Sequence, residues 1–210
     1  MRMEDLLDLY EQPYDPQQPV ICVDERPCQL LGDRLIPLPM QPGQPKKEDT
    51  QYERHGVCCL LVAVEPLAGR RFTQVRPRRT ARDYAEFMQA LAAQYPDAAR
   101  LRVVQDNLNT HTAGSFYQAF DPATAWALKQ RFEFHATPIH ASWLNMAEIE
   151  LSAMARQCLD RRIASIEEVD REISACVKER NEHQLVISWR FTTPKARETL
   201  KRHYMSIKNE

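Results

Sequence analysis

The sequence predicts an α/β domain built on a mixed sheet that is covered by helices. From about residue 80 onward, segments whose apolar residues recur at helical spacing alternate with short apolar segments typical of strands. Before them, two strand-like segments flank a turn at 66–69, as in a β-hairpin. Meandering strands followed by alternating helices and strands give a mixed sheet with helices packed on it.

The composition is that of a soluble globular protein and names no partner. Of the 210 residues, 43% are hydrophobic and 27% are charged, with a formal net charge of −1. The six cysteines form no CxxC motif, and Cys22, Cys58 and Cys59 lie in apolar runs, which predicts buried thiols in a reducing compartment. Because no segment resembles a signal peptide or a membrane span, we expect a cytoplasmic protein without a membrane partner.

The first part of the chain is predicted to contribute three strands and one irregular connection. Residues 1–18 begin with a short helical pattern and continue into Pro and Gln, which is typical of an extension or linker. The apolar run VICV predicts a strand that ends at Asp24, and residues 35–49 are too rich in proline for a central strand. The hairpin strands are predicted at 55–65 and 70–75.

The second part is predicted to alternate helices and strands. Thr80 opens a helix, with Asp83 in the capping position and apolar residues at helical spacing after it. The further predicted elements are a strand at 100–106, helical residues 115–130 broken at Asp121-Pro122, a strand at 132–138, a helix at about 145–161, a helix opened by a capping box of Ser165 and Glu168, and a last helix near Pro194.

Two aspartates follow apolar strands and are the first candidate site residues. Asp24 comes directly after VICV, and Asp106 ends the strand LRVVQD. A turn residue that bonds its own backbone is the simpler explanation for either aspartate alone. If both meet at one edge of the sheet, their mutual repulsion requires a cation, and Mg²⁺ with oxygen ligands provides one. Two such ions about 3.5–4 Å apart stabilise the attacking and leaving oxygens in phosphodiester chemistry.

A third carboxylate is predicted to come from the helix at about 145–161, where Glu148 and Glu150 are candidates. Their side chains point about 200° apart around a helix, so only one of them can face a given site. Glu148 lies at the edge of the apolar stripe, whereas Glu150 is expected to point more toward solvent. Asn145 and Glu148 also fit a capping box, in which Glu148 has a purely structural role.

A cluster of arginines stands out in an otherwise balanced chain. Residues 69–82 contain six arginines and no acid, which is typical of a phosphate-binding face and equally of a solvated hairpin. The candidates for sequence-independent phosphate contacts are Arg70, Arg71, Arg76, Arg78 and Arg79.

Four stretches together resemble a known family: VDERP, HGVCCLLVAVEPLAGRR, VQDNLNTH and HASWLNMAEIELS. They are similar to the catalytic domain of bacterial insertion-sequence transposases of the Tc/mariner superfamily, specifically the insertion sequence 630 group. The resemblance implies a ribonuclease H-like fold with a DDE triad that binds two Mg²⁺ or Mn²⁺ ions. It divides the chain into an extension or linker at 1–18, a catalytic domain at 19–204 and a C-terminal tail at 205–210.

Carried over by position, the triad is Asp24, Asp106 and Glu148. The resemblance selects Glu148 over Glu150 because the family's LNxxE pattern matches residues 144–148. The 41 residues between Asp106 and Glu148 exceed the spacing typical of the superfamily, and the extra length is predicted to lie in the broken helix.

The resemblance implies a DNA transposase that hydrolyses phosphodiesters at transposon ends and then joins the 3′-OH to target DNA. The expected partner is double-stranded DNA, with a homodimer assembled on it, and the family's preceding helix-turn-helix modules have no counterpart here. Asn107 and His111 are candidates for contacting the scissile phosphate or orienting Asp106, although both could simply satisfy turn backbone. The alternatives are a metal nuclease of the same fold without strand transfer, and an inactive DNA-binding or dimerisation remnant.

Overall fold

A five-stranded mixed sheet forms the centre of the protein, whose computed structural model describes residues 2–201. β1, β2 and β3 pair antiparallel, whereas β4 and β5 run parallel to β1. The mixed sheet and its hairpin are therefore as predicted. The strands are β1 (Val20–Asp33), β2 (Tyr52–Glu65), β3 (Arg70–Arg76), β4 (Leu101–Gln105) and β5 (Phe132–Ala136), in the spatial order β3-β2-β1-β4-β5.

Helices lie on both faces of this sheet, and polar side chains cap several of them where the sequence predicts. Thr80 and Asp83 form the predicted capping box at the start of α2, and Asp121 caps α4 at the predicted break. The Ser165 hydroxyl accepts the backbone N–H of Glu168 at the start of α6. The helices are α1 (Arg2–Tyr10), α2 (Ala81–Ala93), α3 (Gly114–Ala119), α4 (Pro122–Gln130), α5 (Ala147–Gln157), α6 (Ile166–Glu182) and α7 (Thr193–Thr199), with a 3₁₀ turn at Ser142–Leu144 before α5.

The two faces of the sheet bury different sets of helices. On the first face, α2, α3 and α4 pack over the sheet with Tyr84, Phe87 and Phe116 fully buried. On the second face, α1, α7 and the start of α5 cover one end, and the rest of α5 with α6 covers the other. Because side chains alternate along a strand, Val23 belongs to the first face and Cys22 to the second.

β1 is longer than the sequence predicts and passes through Asp24 instead of ending there. Its parallel pairing with β4 stops at Cys22, but its antiparallel pairing with β2 continues to Asp33. Beyond Asp24 the strand pairs on one side only and several side chains are exposed, so polar residues are compatible with it. The predicted strand was too short because the end of the apolar run was taken as the end of the strand.

The helix α1 packs on the second face, so the predicted extension is not a free linker in this part. Leu6, Leu7 and Leu9 are buried there, and the hydroxyl of Tyr10 donates to the carbonyl oxygen of Leu144 at 2.8 Å. Three apolar side chains on one face outweigh the short length of the helix, because burying each contributes about 1.5–3 kcal/mol. The domain boundary at 18/19 stays a prediction, and the predicted tail at 205–210 lies outside the described residues.

The structure can be compared with what the composition indicates about the cysteines, membrane-spanning helices and the proline-rich segment. All six cysteines are free, and Cys22, Cys58 and Cys59 are buried, as predicted. In the described part of the chain, no helix is both long enough and apolar enough to cross a membrane. The proline-rich residues between β1 and β2 form an irregular connection with two isolated bridges, again as predicted.

Candidate active site

Asp24 on β1 and Asp106, the residue that follows β4, lie at the same edge of the sheet. The parallel pairing of β1 with β4 ends at Cys22 and Val104, two residues before Asp24 and Asp106. The negative charge of Asp106 is close enough to Asp24 to raise the pKa of that carboxyl. Residues two apart in a strand share a face. Because Cys22 packs on the second face, Asp24 belongs to the face on which α5 begins.

Asn145 joins the start of α5 to Asp24. Its side-chain amide donates to the carbonyl oxygen of Val23 at 2.8 Å and to the Asp24 carboxylate at 3.2 Å, and its side-chain oxygen accepts the N–H of Ala147 at 3.1 Å. The backbone N–H of Asn145 is engaged by the preceding 3₁₀ turn, so the capping box with Glu148 does not form. The buried Asn145 thus fixes the helix that carries Glu148 beside Asp24.

The two glutamates of α5 have the opposite environments to those expected. Glu148 is exposed, yet its charge is close enough to Asp24 to raise the pKa of that carboxyl. Glu150, which was expected to point toward solvent, is fully buried and contacts Arg71 and Arg180. The prediction failed because it assumed that the side of α5 opposite its apolar stripe faces water, whereas β3 and α6 cover that side.

Asp24 is the most strongly perturbed carboxyl of the candidate site. Burial raises the pKa of Asp24 to about 7, although the N–H of Glu25 donates to its Oδ1 at 2.8 Å and acts in the opposite direction. Burial is the largest cause of this rise, and the negative charges of Glu148, Glu25 and Asp106 contribute to it. A carboxyl with this surplus of negative charge around it favours a nearby cation.

His111 holds Asp106 in place and neutralises part of its charge. Its Nδ1 lies 2.6 Å from Oδ1 of Asp106, and its Nε2 lies 3.0 Å from Oε2 of Glu25. Burial lowers the pKa of His111, but its contacts with the two carboxylates outweigh burial and raise the pKa to about 9. The hydrogen bond from His111 in turn lowers the pKa of Asp106. Asp106 also accepts the N–H of Leu108, so it has a turn role as well.

Glu25 is a residue of this region that sequence reasoning missed. The side chain of Glu25 is only 4% exposed and lies between His111 and Arg79. Nη1 of Arg79 is 3.1 Å from Oε1 of Glu25. Because side chains alternate along β1, Glu25 lies on the opposite face from Asp24. This alternation was the feature of the sequence that could have indicated Glu25. Asn107, by contrast, donates its side-chain amide to the carbonyl oxygen of Thr137 at 2.7 Å and ties together the segments that follow β4 and β5.

The five candidate arginines of the cluster divide into one buried and four more accessible residues. Arg71 is fully buried and its Nη2 lies 3.1 Å from Oε2 of Glu150, so its predicted contact with DNA phosphate was wrong. The reason is that side chains alternate along β3, and Arg71 points to the side covered by α6. The others are Arg70, over the ring of Tyr95; Arg76, paired with Glu86; Arg79, paired with Glu25; and the exposed Arg78.

The chemistry of the site fits a hard divalent cation, although it does not form a closed ligand cage. Within residues 2–201, no three His, Cys, Asp or Glu side chains converge closely enough to hold one metal ion. Mg²⁺ commonly takes one or two carboxylates and completes its shell with water and phosphate oxygens. Asp24, Asp106 and Glu148 are oxygen donors of this kind, and the negative charges of Glu148 and Asp106 contribute to the raised pKa of Asp24.

Comparisons with known proteins identify the family. A family model described as DDE superfamily endonuclease matches residues 19–170. No curated protein matches the sequence significantly. Similar solved structures include the Mos1 mariner paired-end complex with Mn (TM-score 0.58, 18% identity, 88% of this chain, 57% of that chain), the Mos1 transposase paired-end complex with left transposon end (0.57, 18%, 88%, 58%) and a pre-cleavage Mos1 transpososome (0.55, 18%, 88%, 59%).

This chain therefore spans less than two thirds of the length of those proteins, and at such identity the likeness concerns the fold. It confirms the ribonuclease H-like mixed sheet flanked by helices. The family match covers well over half of the chain and includes Asp24, Asp106 and Glu148. The chain belongs to the DDE superfamily endonucleases.

Proposed function

We propose that this chain is the catalytic domain of a DNA transposase of the insertion sequence 630 group. It hydrolyses a phosphodiester at each transposon end and then joins the 3′-OH to target DNA. The observation that carries the proposal is that Asp24 and Asp106 each follow the last paired residues of β1 and β4 by two positions, with Asn145 bonding Asp24 to the start of α5, in a chain of the DDE endonuclease family. The similarity to Mos1 transposase complexes with transposon ends supports the same function.

The proposed cofactors are two Mg²⁺ or Mn²⁺ ions held by Asp24, Asp106 and Glu148. Mn is named for one of the similar Mos1 complexes, which supports this choice. When bound, such ions act as Lewis acids that lower the pKa of a water molecule and stabilise the oxygens that attack and leave. Burial and, to a smaller extent, the neighbouring negative charges raise the pKa of Asp24, and a bound cation would offset this repulsion among the carboxylates.

The other residues of the site act by holding these carboxylates. His111 orients Asp106 through its Nδ1 and keeps that carboxylate ionised. Asn145 keeps Asp24 at a constant distance from the first turn of α5. Glu148 is exposed, so it can meet a phosphodiester that approaches from solvent.

The proposed partner is double-stranded DNA, bound by two copies of the protein on paired transposon ends. Similarity to paired-end complexes of Mos1 supports the pairing of ends. Sequence-independent phosphate contacts are proposed for the accessible arginines of the cluster, since such contacts position a protein on DNA. These are Arg70, Arg76, Arg78 and Arg79.

The experiment is cleavage and strand transfer on labelled duplexes taken from the DNA on both sides of the gene, with Mg²⁺ or Mn²⁺. Asp24→Ala, Asp106→Ala and Glu148→Ala are each expected to abolish both reactions while circular dichroism shows a folded protein. Asp97→Ala, which removes an exposed carboxylate before β4, at the other end of that strand from Asp106, is the matched control and should keep wild-type rates.

Each possible result separates the proposal from its alternatives. Cleavage without joining of the 3′-OH identifies a metal nuclease that lacks strand transfer. DNA binding without any cleavage, in a folded wild-type protein supplied with Mn²⁺, identifies an inactive remnant. Cleavage that persists in Asp24→Ala or Asp106→Ala means that the active site lies elsewhere.

A further inference from the structure

We propose that Glu150, Arg71 and Arg180, here called the buried ion cluster, set the rotation of α5 about its axis and thereby direct Glu148 toward Asp24. Glu150 is then a positioning residue for the catalytic carboxylate two residues earlier. This inference rests on the proposed function, because it assigns Glu148 to the reacting site. Neither the sequence resemblance nor the family match assigns a role to these three residues.

The contacts of Glu150 are directional and use both carboxylate oxygens. Its Oε1 accepts from Nε of Arg180 at 2.5 Å, and its Oε2 accepts from Nη2 of Arg180 at 3.2 Å and from Nη2 of Arg71 at 3.1 Å. Such two-point pairing of a guanidinium with a carboxylate fixes orientation as well as distance. Glu150 and Arg71 are both fully buried, so water cannot replace either partner.

The cluster is itself anchored to the sheet and to the segment after α6. The side chain of Arg71 also donates to the carbonyl oxygens of Gly69, at 2.6 Å, and Leu185. Asn181 on α6 accepts the backbone N–H of Arg71 at 2.8 Å and donates to its carbonyl oxygen at 2.9 Å. Arg71 is therefore held by the sheet, by α6 and by the segment after it independently of Glu150, and α5 adjusts to its position.

Helix geometry converts this anchor into a position for Glu148. Residues two apart on a helix point about 200° apart, so burying Glu150 between β3 and α6 turns Glu148 to the opposite side. Asn145 holds the start of α5 against β1 beside Asp24. Together Asn145 and Glu150 fix both the location and the rotation of the turn that carries Glu148. A small rotation at Glu150 moves the Glu148 carboxylate away from Asp24.

The test compares Glu150→Gln and Arg180→Lys with wild type. Glu150→Gln keeps the shape but places an amide N–H₂ against guanidinium donors, and Arg180→Lys keeps the charge but loses the two-point contact. Arg180→Lys is the milder change because its side chain reaches the surface. Glu172→Gln on α6, which removes a partly exposed ion pair with Arg161, is the matched control.

Three measurements separate positioning from general stability. The Mn²⁺ concentration for half-maximal cleavage is expected to rise about 10-fold to 100-fold in both variants, with a rate at saturating Mn²⁺ close to wild type. Without DNA, weaker Mn²⁺ binding by both variants is expected when Mn²⁺ is titrated and the electron paramagnetic resonance signal of the free ion is followed. In hydrogen exchange, the backbone amides at 147–151 of both variants should exchange faster with solvent than those of wild type. Glu172→Gln should match wild type in all three measurements.

The possible failures of the two proposals are distinguishable. If wild type cleaves and both variants keep the wild-type Mn²⁺ requirement and the wild-type amide exchange of α5, the positioning inference is overturned and the proposed function stands. If wild type neither binds Mn²⁺ nor cleaves, the proposed function fails. Faster exchange in α5 with unaltered Mn²⁺ binding shows that the buried ion cluster stabilises the helix without positioning Glu148, and also overturns the inference.

Discussion

Two groups of charged residues near the second face of the sheet differ in how their negative charge is neutralised. In the buried ion cluster, the single carboxylate of Glu150 meets two guanidinium groups and every charge is removed from solvent or nearly so. At the candidate active site, Asp24 lies near the negative charges of Glu148, Glu25 and Asp106, and burial with these charges raises its pKa to about 7.

This difference distinguishes acidic residues that stabilise the fold from acidic residues that are available to bind a metal ion. A buried carboxylate that the protein itself neutralises is part of the scaffold, because losing one partner leaves an uncompensated charge. A carboxylate that remains under repulsion retains a need for positive charge, which a metal ion can supply. On α5 the two kinds are only two residues apart, at Glu150 and Glu148, and this makes the comparison directly testable.

The largest expected effect is that of Glu148→Gln on catalysis. Removing one of the proposed metal ligands is expected to lose several kcal/mol of transition-state stabilisation, so cleavage should fall about 1,000-fold. Because Glu148 is exposed and repels Asp24, the melting temperature should stay unchanged or rise slightly. Rates and thermal unfolding measured on the same preparation check this. A clear fall in melting temperature would show that Glu148 belongs with the structural acids and would break the comparison.

The next largest is the effect of Glu150→Ala on stability. It leaves Arg71 and Arg180 without their carboxylate, so the free energy of unfolding should fall by about 3–5 kcal/mol in urea titrations. Replacing the whole cluster at once, with Arg71→Met, Glu150→Leu and Arg180→Met, should recover most of that loss, since no buried charge then remains. A triple variant as unstable as Glu150→Ala contradicts this reasoning.

A smaller effect is expected for Asn145→Ala, which breaks the link between α5 and Asp24. The change leaves the carbonyl oxygen of Val23 and the N–H of Ala147 without this partner, which costs about 2 kcal/mol of unfolding free energy. Urea unfolding of Asn145→Ala beside Gln89→Ala, an exposed position on α2, provides the measurement and its control. Equal stability of the two variants would mean that the buried amide contributes nothing.

The smallest effect sharpens the contrast among the arginines. Arg78→Ala should weaken DNA binding to a similar extent for every sequence and lower the slope of log affinity against log salt by about 1. The melting temperature should be unchanged because Arg78 is exposed. Fluorescence anisotropy titrations of a labelled duplex at several salt concentrations measure the slope. An unaltered slope excludes Arg78 from phosphate contact.

Much of the fold could be predicted because its signals are local. The capping box at Thr80, the break at Asp121 and the hairpin at 66–69 each depend on a few neighbouring residues, and all three are present in the structure. The end of β1 was misplaced because strand pairing with β2 persists after the apolar run stops. The aspartates were found as candidates because each follows an apolar run.

The sequence by itself determined the types and order of the elements, and it placed Asp24, Asp106 and Glu148 among the candidates. Only the tertiary structure decided that Arg71 and Glu150, 79 residues apart, form a buried pair and that Asn145 reaches Asp24 across 121 residues. The physical reason is that apolar periodicity identifies the side of a helix or strand that faces the core. It contains no information about which distant element covers the other side.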